Sequence, residues 1–377
     1  MRNRASFAVV AGASFFCIAL STQPRGVVTA AAVALPMVAQ DPGVDRGRVL
    51  FDRAFSRVDG VGGPGMNSDS CRSCHQDPMM GGAGPLELNV SRFGRDEGGA
   101  GPFSDLPGGQ GLSKLFPPHT PGREEYDEAT ADTFEQRQTP SILGDGLIDT
   151  ILDSTIIANE DPTDADSDGI FGVARRLSIN SIIEIGKFGW KAQVPKLGDF
   201  VNDAMFGELG ITTPDDGRGF GMRMDGDGAA DPELSTSQVD DIAAFLSSLP
   251  APERGGSLDP QVAIGEALFD TIGCATCHIP ELAGSGGPVR LYSNLLLHNV
   301  MPAGFRGMME PGAGVGFFKT PPLWGIKDTA PYMHDGRAED LQGAILHHDG
   351  EAATVRLRFE ALSPIDMEAL LLFLEDL

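Results

Sequence analysis

Two pentapeptides carry the most chemistry in this 377-residue chain: Cys71-Arg72-Ser73-Cys74-His75 and Cys274-Ala275-Thr276-Cys277-His278. C-x-x-C-H is the attachment signature of c-type haem. Each sulfur adds to a vinyl group of the porphyrin, and the adjoining histidine binds the iron. A C-x-x-C pair alone also serves as a redox dithiol or as half of a zinc site. Neither use requires a histidine directly after the second cysteine, and here it occurs twice. The cofactors expected are two covalently bound c-type haems, held by Cys71, Cys74, His75, Cys274, Cys277 and His278.

What each haem does depends on its sixth ligand and on the polarity of the open face. The other histidines are His119, His298, His334, His347 and His348. Two acidic loops add further ligand chemistry. Asp164-Ala165-Asp166-Ser167-Asp168-Gly169 has the D-x-D-x-D-G spacing that wraps calcium. Its twelfth position is Arg175 rather than Glu, so it is not an EF-hand, and a solvated acidic turn has the same composition. Asp225-Gly226-Asp227-Gly228 is a weaker echo.

The elements that must position the motifs are themselves repeated. Gly47-Arg48-Val49-Leu50-Phe51 precedes the first motif and Gly265-Glu266-Ala267-Leu268-Phe269 the second. Both read as a helix turning Leu and Phe towards the haem. Phe51 is 20 residues from Cys71, whereas Phe269 is five from Cys274, so the first copy carries an insertion at 59–69. Thr139-Pro140-Ser141-Ile142-Leu143-Gly144 is echoed by Thr320-Pro321-Pro322-Leu323-Trp324-Gly325. Residues 242–249 align without gaps on 370–377, with apolar positions at helical spacing. Ser237 with Asp240, and Ser363 with Asp366, suit as N-caps. The pattern predicts a mainly α fold: two tandem cytochrome c-type domains with long loops, residues 41–252 and 253–377. Residues 81–122 lack periodicity and read as loop. Residues 124–138 are charged and read as a short exposed helix.

Composition narrows the function classes. The formal charge of −25 argues against nucleic acid, which demands basic stripes, and favours basic partners. Residues 1–40 read as an export signal, with Arg2 and Arg4 ahead of an apolar run from Ala5 to Leu20. That run is short for a membrane span. Export to the periplasm suits c-type haem, and no stable span is expected after processing. Four of the five cysteines belong to the motifs, which leaves no disulfide in the mature chain.

The tandem layout, together with Thr320-Pro-Pro-Leu-Trp-Gly325 and Ala330-Pro-Tyr-Met-His-Asp-Gly336, resembles the bacterial di-haem cytochrome c peroxidase superfamily. It resembles most its branch of di-haem oxidoreductases, often labelled thiol oxidoreductases. Further matching stretches are Gln138–Gly144, Phe188-Gly-Trp-Lys-Ala192, Gly207–Thr212 and Ala344–Ala352. The likeness runs over about residues 45–377. It implies that the N-terminal haem meets hydrogen peroxide while the C-terminal haem passes electrons. It also implies a second axial ligand after the Pro-Tyr-x-His-Asp-Gly loop, a slot that falls on His348, with His347 as its neighbour. The family's distal acid, downstream of an aromatic residue between the haems, falls on Glu208, 18 residues after Trp190. Trp190 then stands as an electron relay or a packed core residue. His334 is placed to hydrogen-bond a haem propionate or its own loop rather than iron. One departure is that no histidine follows His75 until His119, and Met79 and Met80 lie too close to cap the far face. The first haem is therefore expected open.

The reading is a periplasmic di-haem c-type peroxidase-like oxidoreductase. Its partners would be hydrogen peroxide and a small electron-donor protein (a cytochrome c or cupredoxin), or an organic or protein substrate. The alternative is a di-haem electron-transfer cytochrome with no peroxidase chemistry.

Overall fold

Gly47 and Gly265 explain how the two halves are built. The helix Pro42–Asp52 packs on Thr236–Ser248, and Pro260–Ile272 packs on Pro364–Asp376. A Cβ on Gly47 would fall 1.8 Å from the carbonyl oxygen of Asp241 and 2.8 Å from Cβ of Phe245. A Cβ on Gly265 would fall 2.0 Å from the carbonyl oxygen of Ala369 and 2.8 Å from Cβ of Phe373. Only glycine allows backbones to approach so closely. The aromatic contacts repeat as well: Phe51 meets Phe245, and Phe269 meets Phe373, each at 5.3 Å between ring centroids. This computed structural model describes residues 41–62, 67–94, 111–112, 133–221 and 228–377. The N-terminal 40 residues, His119 and the Asp225–Asp227 pair lie outside them.

Caps set the helix starts. Asp41 and Asp259 accept from the N–H two residues on, each just ahead of a proline at the first helical position. Ser363 accepts from Asp366 N–H at 3.2 Å, as the sequence suggests. The other closing helix is capped two residues earlier than expected. Ser235, not Ser237, is its N-cap, in a capping box with Gln238. Thr-Ser-Gln still fits inside the helix, so the earlier serine captures the free N–H groups.

Among the described residues helices predominate, and no strand exceeds five residues. One strand corrects the sequence reading. Thr133–Arg137 is not an exposed helix but the edge partner of Val90–Gly94, antiparallel with Ser91 opposite Gln136. Glu135 and Arg137 are buried there, 4% and 6% exposed, because they pair with each other and with Glu310 and Met308 N–H. Their charge made the segment look solvated.

Among the described residues three apolar clusters follow, the smallest of them Ala192, Leu297 and Ala313; the other two are cores in size. The larger gathers Phe51, Leu143, Leu197, Met205, Leu209 and Phe245, and draws in Leu291, Leu296 and Trp324 from beyond residue 253. The smaller holds Val262, Phe269, Ile272, Phe359, Leu370 and Phe373. Among the described residues no helix is long and apolar enough to cross a membrane.

Candidate haem sites

The two Cys-x-x-Cys-His segments fold alike. Each histidine N–H donates to the carbonyl of the first cysteine at 3.0 Å. In each, the imidazole Nδ1 is taken by a backbone carbonyl, Gly82 at 3.3 Å for His75 and Tyr292 at 2.9 Å for His278. A carbonyl only accepts, so Nδ1 carries the proton and Nε2 keeps its lone pair. Burial pulls His75 down to about 4 and His278 to about 3, which keeps both neutral and ready to ligate. Phe51 and Phe269 stand 6.3 and 6.4 Å from these rings, the first-helix aromatics the repeat predicts.

The thiols are held protonated. Burial raises Cys71, Cys274 and Cys277 to about 12, and raises Cys74 too, so none is a ready thiolate. No disulfide joins them.

The second motif opens onto an apolar cavity. Cys274, Cys277 and His278 line it together with Phe269, Leu370 and Leu374. His348 lines it too, its Nδ1 bonded to Ala344 O at 2.8 Å, which leaves the lone pair on Nε2. His347 is exposed and bonds Gly343 O in the same way at 2.9 Å, away from the cavity lining. The helix Leu341–Leu346 places the two histidines on different sides of its C-terminal turn. Burial lowers His348 as well, which keeps it neutral. His298 also faces the cavity but is spoken for: Nδ1 meets Glu351 Oε2 at 3.0 Å and Nε2 meets the Asn294 amide at 3.0 Å.

The cavity continues to Gln138, Thr139, Pro140 and Trp190. The Trp190 indole N–H donates to Gln138 O at 2.8 Å, and its own carbonyl accepts from Lys319 N–H at 2.8 Å. The ring is pinned where the chain segments of both halves meet.

Glu208 lies at the end of helix Leu197–Leu209, close enough to the thiols of Cys71 and Cys74 for its charge to raise them. Its carbonyl accepts from Asn67 N–H and Ser68 N–H at 2.6 and 2.9 Å, which anchors the stretch just before the first motif. Burial raises its carboxyl to about 7, against a hydrogen bond from Asn67 that lowers it. Met80 packs on the larger core and Met79 is half exposed.

The acidic loop is assembled differently from the expected Asp164, Asp166 and Asp168. Asp161, Asp164 and Asp166 bring carboxylate oxygens within 4.8 Å of one another. Asp168 instead accepts from Ile170 N–H at 2.8 Å. Glu351 reaches this loop too, accepting from Phe171 N–H at 2.9 Å.

Asn67, Glu351, Lys191 and Glu310 escaped the sequence reading. Lys191 and Glu351 stand within stretches that carried the resemblance, beside Trp190 and His348. No spacing rule marks Asn67 or Glu310.

A family model described as "Di-haem oxidoreductase, putative peroxidase" matches residues 131–377. The chain belongs to this family. The di-haem oxidoreductase is also similar to a solved structure of a MauG-like protein associated with microbial copper homeostasis. The two share 18% identity over 92% of this chain and 90% of that one, with a TM-score of 0.44. It is similar as well to hydrazine synthase of Kuenenia stuttgartiensis, with 16% identity over 94% of this chain and all of that one, and a TM-score of 0.37. No curated protein matches it in sequence.

The residues present fit haem. Each motif offers two neutral thiols and a proton-free Nε2, and the cavity at the second motif is apolar with His348 on its wall.

Proposed function

We propose that this di-haem oxidoreductase reduces hydrogen peroxide at a haem held by Cys71, Cys74 and His75, with electrons passed from a haem held by Cys274, Cys277, His278 and His348. Both haems would be attached covalently in cytochrome c-type domains, residues 41–252 and 253–377. Haem iron supplies the redox chemistry; the chain supplies attachment, orientation and proton handling. Reduction of one peroxide to two waters takes two electrons and two protons.

The observation that carries the reading is Glu208. A half-buried carboxyl with a pKa of about 7, beside the first motif, is matched to proton transfer near neutral pH. As carboxylate it takes a proton from the near oxygen of peroxide, and as acid it returns that proton to the departing oxygen. Trp190, pinned at Nε1 and lining the cavity, suits an electron path between the halves. His348 suits axial ligation better than His347 because it alone lines the cavity.

Periplasmic export fits the leader-like residues 1–40. A basic cytochrome c or cupredoxin fits the charge of −25 as donor, and an organic or protein substrate would also serve. Calcium fits the carboxylates of Asp161, Asp164 and Asp166.

Rapid mixing of the oxidised holoprotein with peroxide tests the reading. Glu208→Gln should keep both haems and slow the reaction by about 10²–10⁴-fold. An unchanged rate removes Glu208. No reaction in the wild type leaves a plain electron-transfer cytochrome.

A further inference from the structure

Glu351 follows His348 by three residues, in the short turn Gly350–Ala352. Its side chain is 9% exposed and collects four N–H donors. Oε1 accepts from Asn299 N–H at 2.8 Å. Oε2 accepts from His298 Nδ1–H at 3.0 Å, from Phe171 N–H at 2.9 Å and from Gly172 N–H at 3.5 Å. One carboxylate thereby ties the chain after His348 to the strand Leu297–Asn299 and to the loop beyond Asp168. Burial would raise its pKa, but the bonds from His298, Asn299 and Phe171 outweigh burial and hold it below the ordinary glutamate value. Glu351 is therefore ionised at neutral pH.

The imidazole between Glu351 and the second motif is neutral. Asn294 Oδ1 accepts from Leu296 N–H at 3.0 Å, which turns the amide nitrogen towards His298 Nε2, also at 3.0 Å. Nε2 accepts, so the ring's one proton sits on Nδ1. His298 does not cancel the charge it binds. Its Nδ1 also lies 3.7 Å from Cys277 Sγ, so carboxylate and sulfur share one neighbour. The sulfur registers that charge: burial first, then Glu351 and Asp168, push the Cys277 thiol up to about 12. The cations on the cavity wall answer to other carboxylates. Arg356 pairs with Glu360 and Asp349, and Lys319 faces Asp145. Arg137, Arg175 and Lys191 face Glu310 and Glu135.

We propose that Glu351, with Asp168 on its exposed side, is an anionic flank of the second haem that holds its reduction potential down. A carboxylate fixed beside the Cys277 linkage favours ferric over ferrous iron. It acts through its field, with the neutral His298 ring standing between it and the sulfur. The electron donor must then be strong enough to reduce a haem of lowered potential. The inference rests on the second motif holding a haem, not on peroxide reduction, and the mass of the holoprotein reports that attachment separately from any potential.

The test uses resting holoprotein and no peroxide. Spectroelectrochemistry reads each haem's reduction equilibrium, and electron paramagnetic resonance reads its axial ligation. Glu351→Gln removes the charge and keeps the length. It should move the low-spin haem towards the ferrous form by about tenfold, about 59 mV for one electron, with its resonance signal unchanged. Glu351→Asp keeps the charge and shortens the reach, and should stay within about twofold of the wild type. Asp168→Asn is the variant that folding does not threaten, since the side chain is exposed and asparagine can still accept from Ile170 N–H. It should move the same haem in the same direction by about twofold at low salt, and less at high salt. The proposal is overturned if folded Glu351→Gln keeps the wild-type potential, or if Glu351→Asp shifts as far as Glu351→Gln. Loss of the low-spin signal in Glu351→Gln also overturns it, because Glu351 would then be a clamp on the His348 turn alone. If Glu351→Gln does not fold, an unshifted Asp168→Asn overturns it.

Discussion

Asn67 donates its side-chain N–H to Oε2 of Glu208 at 3.0 Å, while its backbone N–H donates to the Glu208 carbonyl. One residue thereby holds both the position and the proton affinity of the carboxyl beside the first motif. Its hydrogen bond lowers a pKa that burial has raised to about 7. Asn67→Ala should therefore raise it further. The peroxide reaction needs the carboxylate as base, so its rate should climb with pH, and that climb should move to higher pH in the variant. A pH–rate profile that coincides with the wild type would separate Asn67 from proton transfer.

His348 and His347 offer a paired experiment. In the oxidised protein the second haem should be low-spin, with His278 and His348 on its two faces, and the first should be high-spin. Electron paramagnetic resonance of His348→Ala should show the low-spin signal lost and the high-spin signal kept. His347→Ala should match the wild type. Two low-spin haems in the unaltered protein would contradict an open first site.

Gly265→Ala tests the helix crossing without reference to haem chemistry. The new Cβ would sit 2.0 Å from the Ala369 carbonyl, so the helices must part. A cost of about 1–3 kcal/mol is expected, the usual size of overpacking. It should appear as a lower denaturant midpoint, and an equal midpoint would show that the crossing relaxes freely.

Glu310 should shape the acid limb of stability. Burial alone would raise its pKa, but Arg92, Arg137 and Arg175 outweigh burial and hold it at about 2. Its folded value lies below the unfolded one, so its contribution is full above about 4.5 and is lost as pH falls towards 2. Glu310→Gln leaves three guanidinium groups without their shared carboxylate. It should cost about 3–5 kcal/mol at neutral pH. Thermal melts from pH 7 to 2 should also show a flatter acid limb than the wild type.

Much of this was legible in the sequence because it is local or repeated. The Cys-x-x-Cys-His segments, the Gly-x-x-Leu-Phe helices and the Ser363 cap are short patterns whose geometry neighbours in sequence enforce. The strand Thr133–Arg137 was not, because Glu135 and Arg137 are satisfied by Glu310 and Met308, more than 170 residues away. Long separations in sequence, if shorter ones, also hide Asn67 from Glu208 and Phe318 from Lys191. Asp161 was missed because the loop folds back on it, outside the D-x-D-x-D frame.

The two glycine crossings also bear on how such a chain can change. Each is closed by backbone meeting backbone, so the crossing depends on the absence of one side chain rather than on a set of matched ones. Positions outside the crossing and its phenylalanine pair can be replaced without loosening it. An acid beside one motif and a cavity-lining histidine beside the other can then arise on the same scaffold, and two like halves can divide their labour while the frame stays as it was.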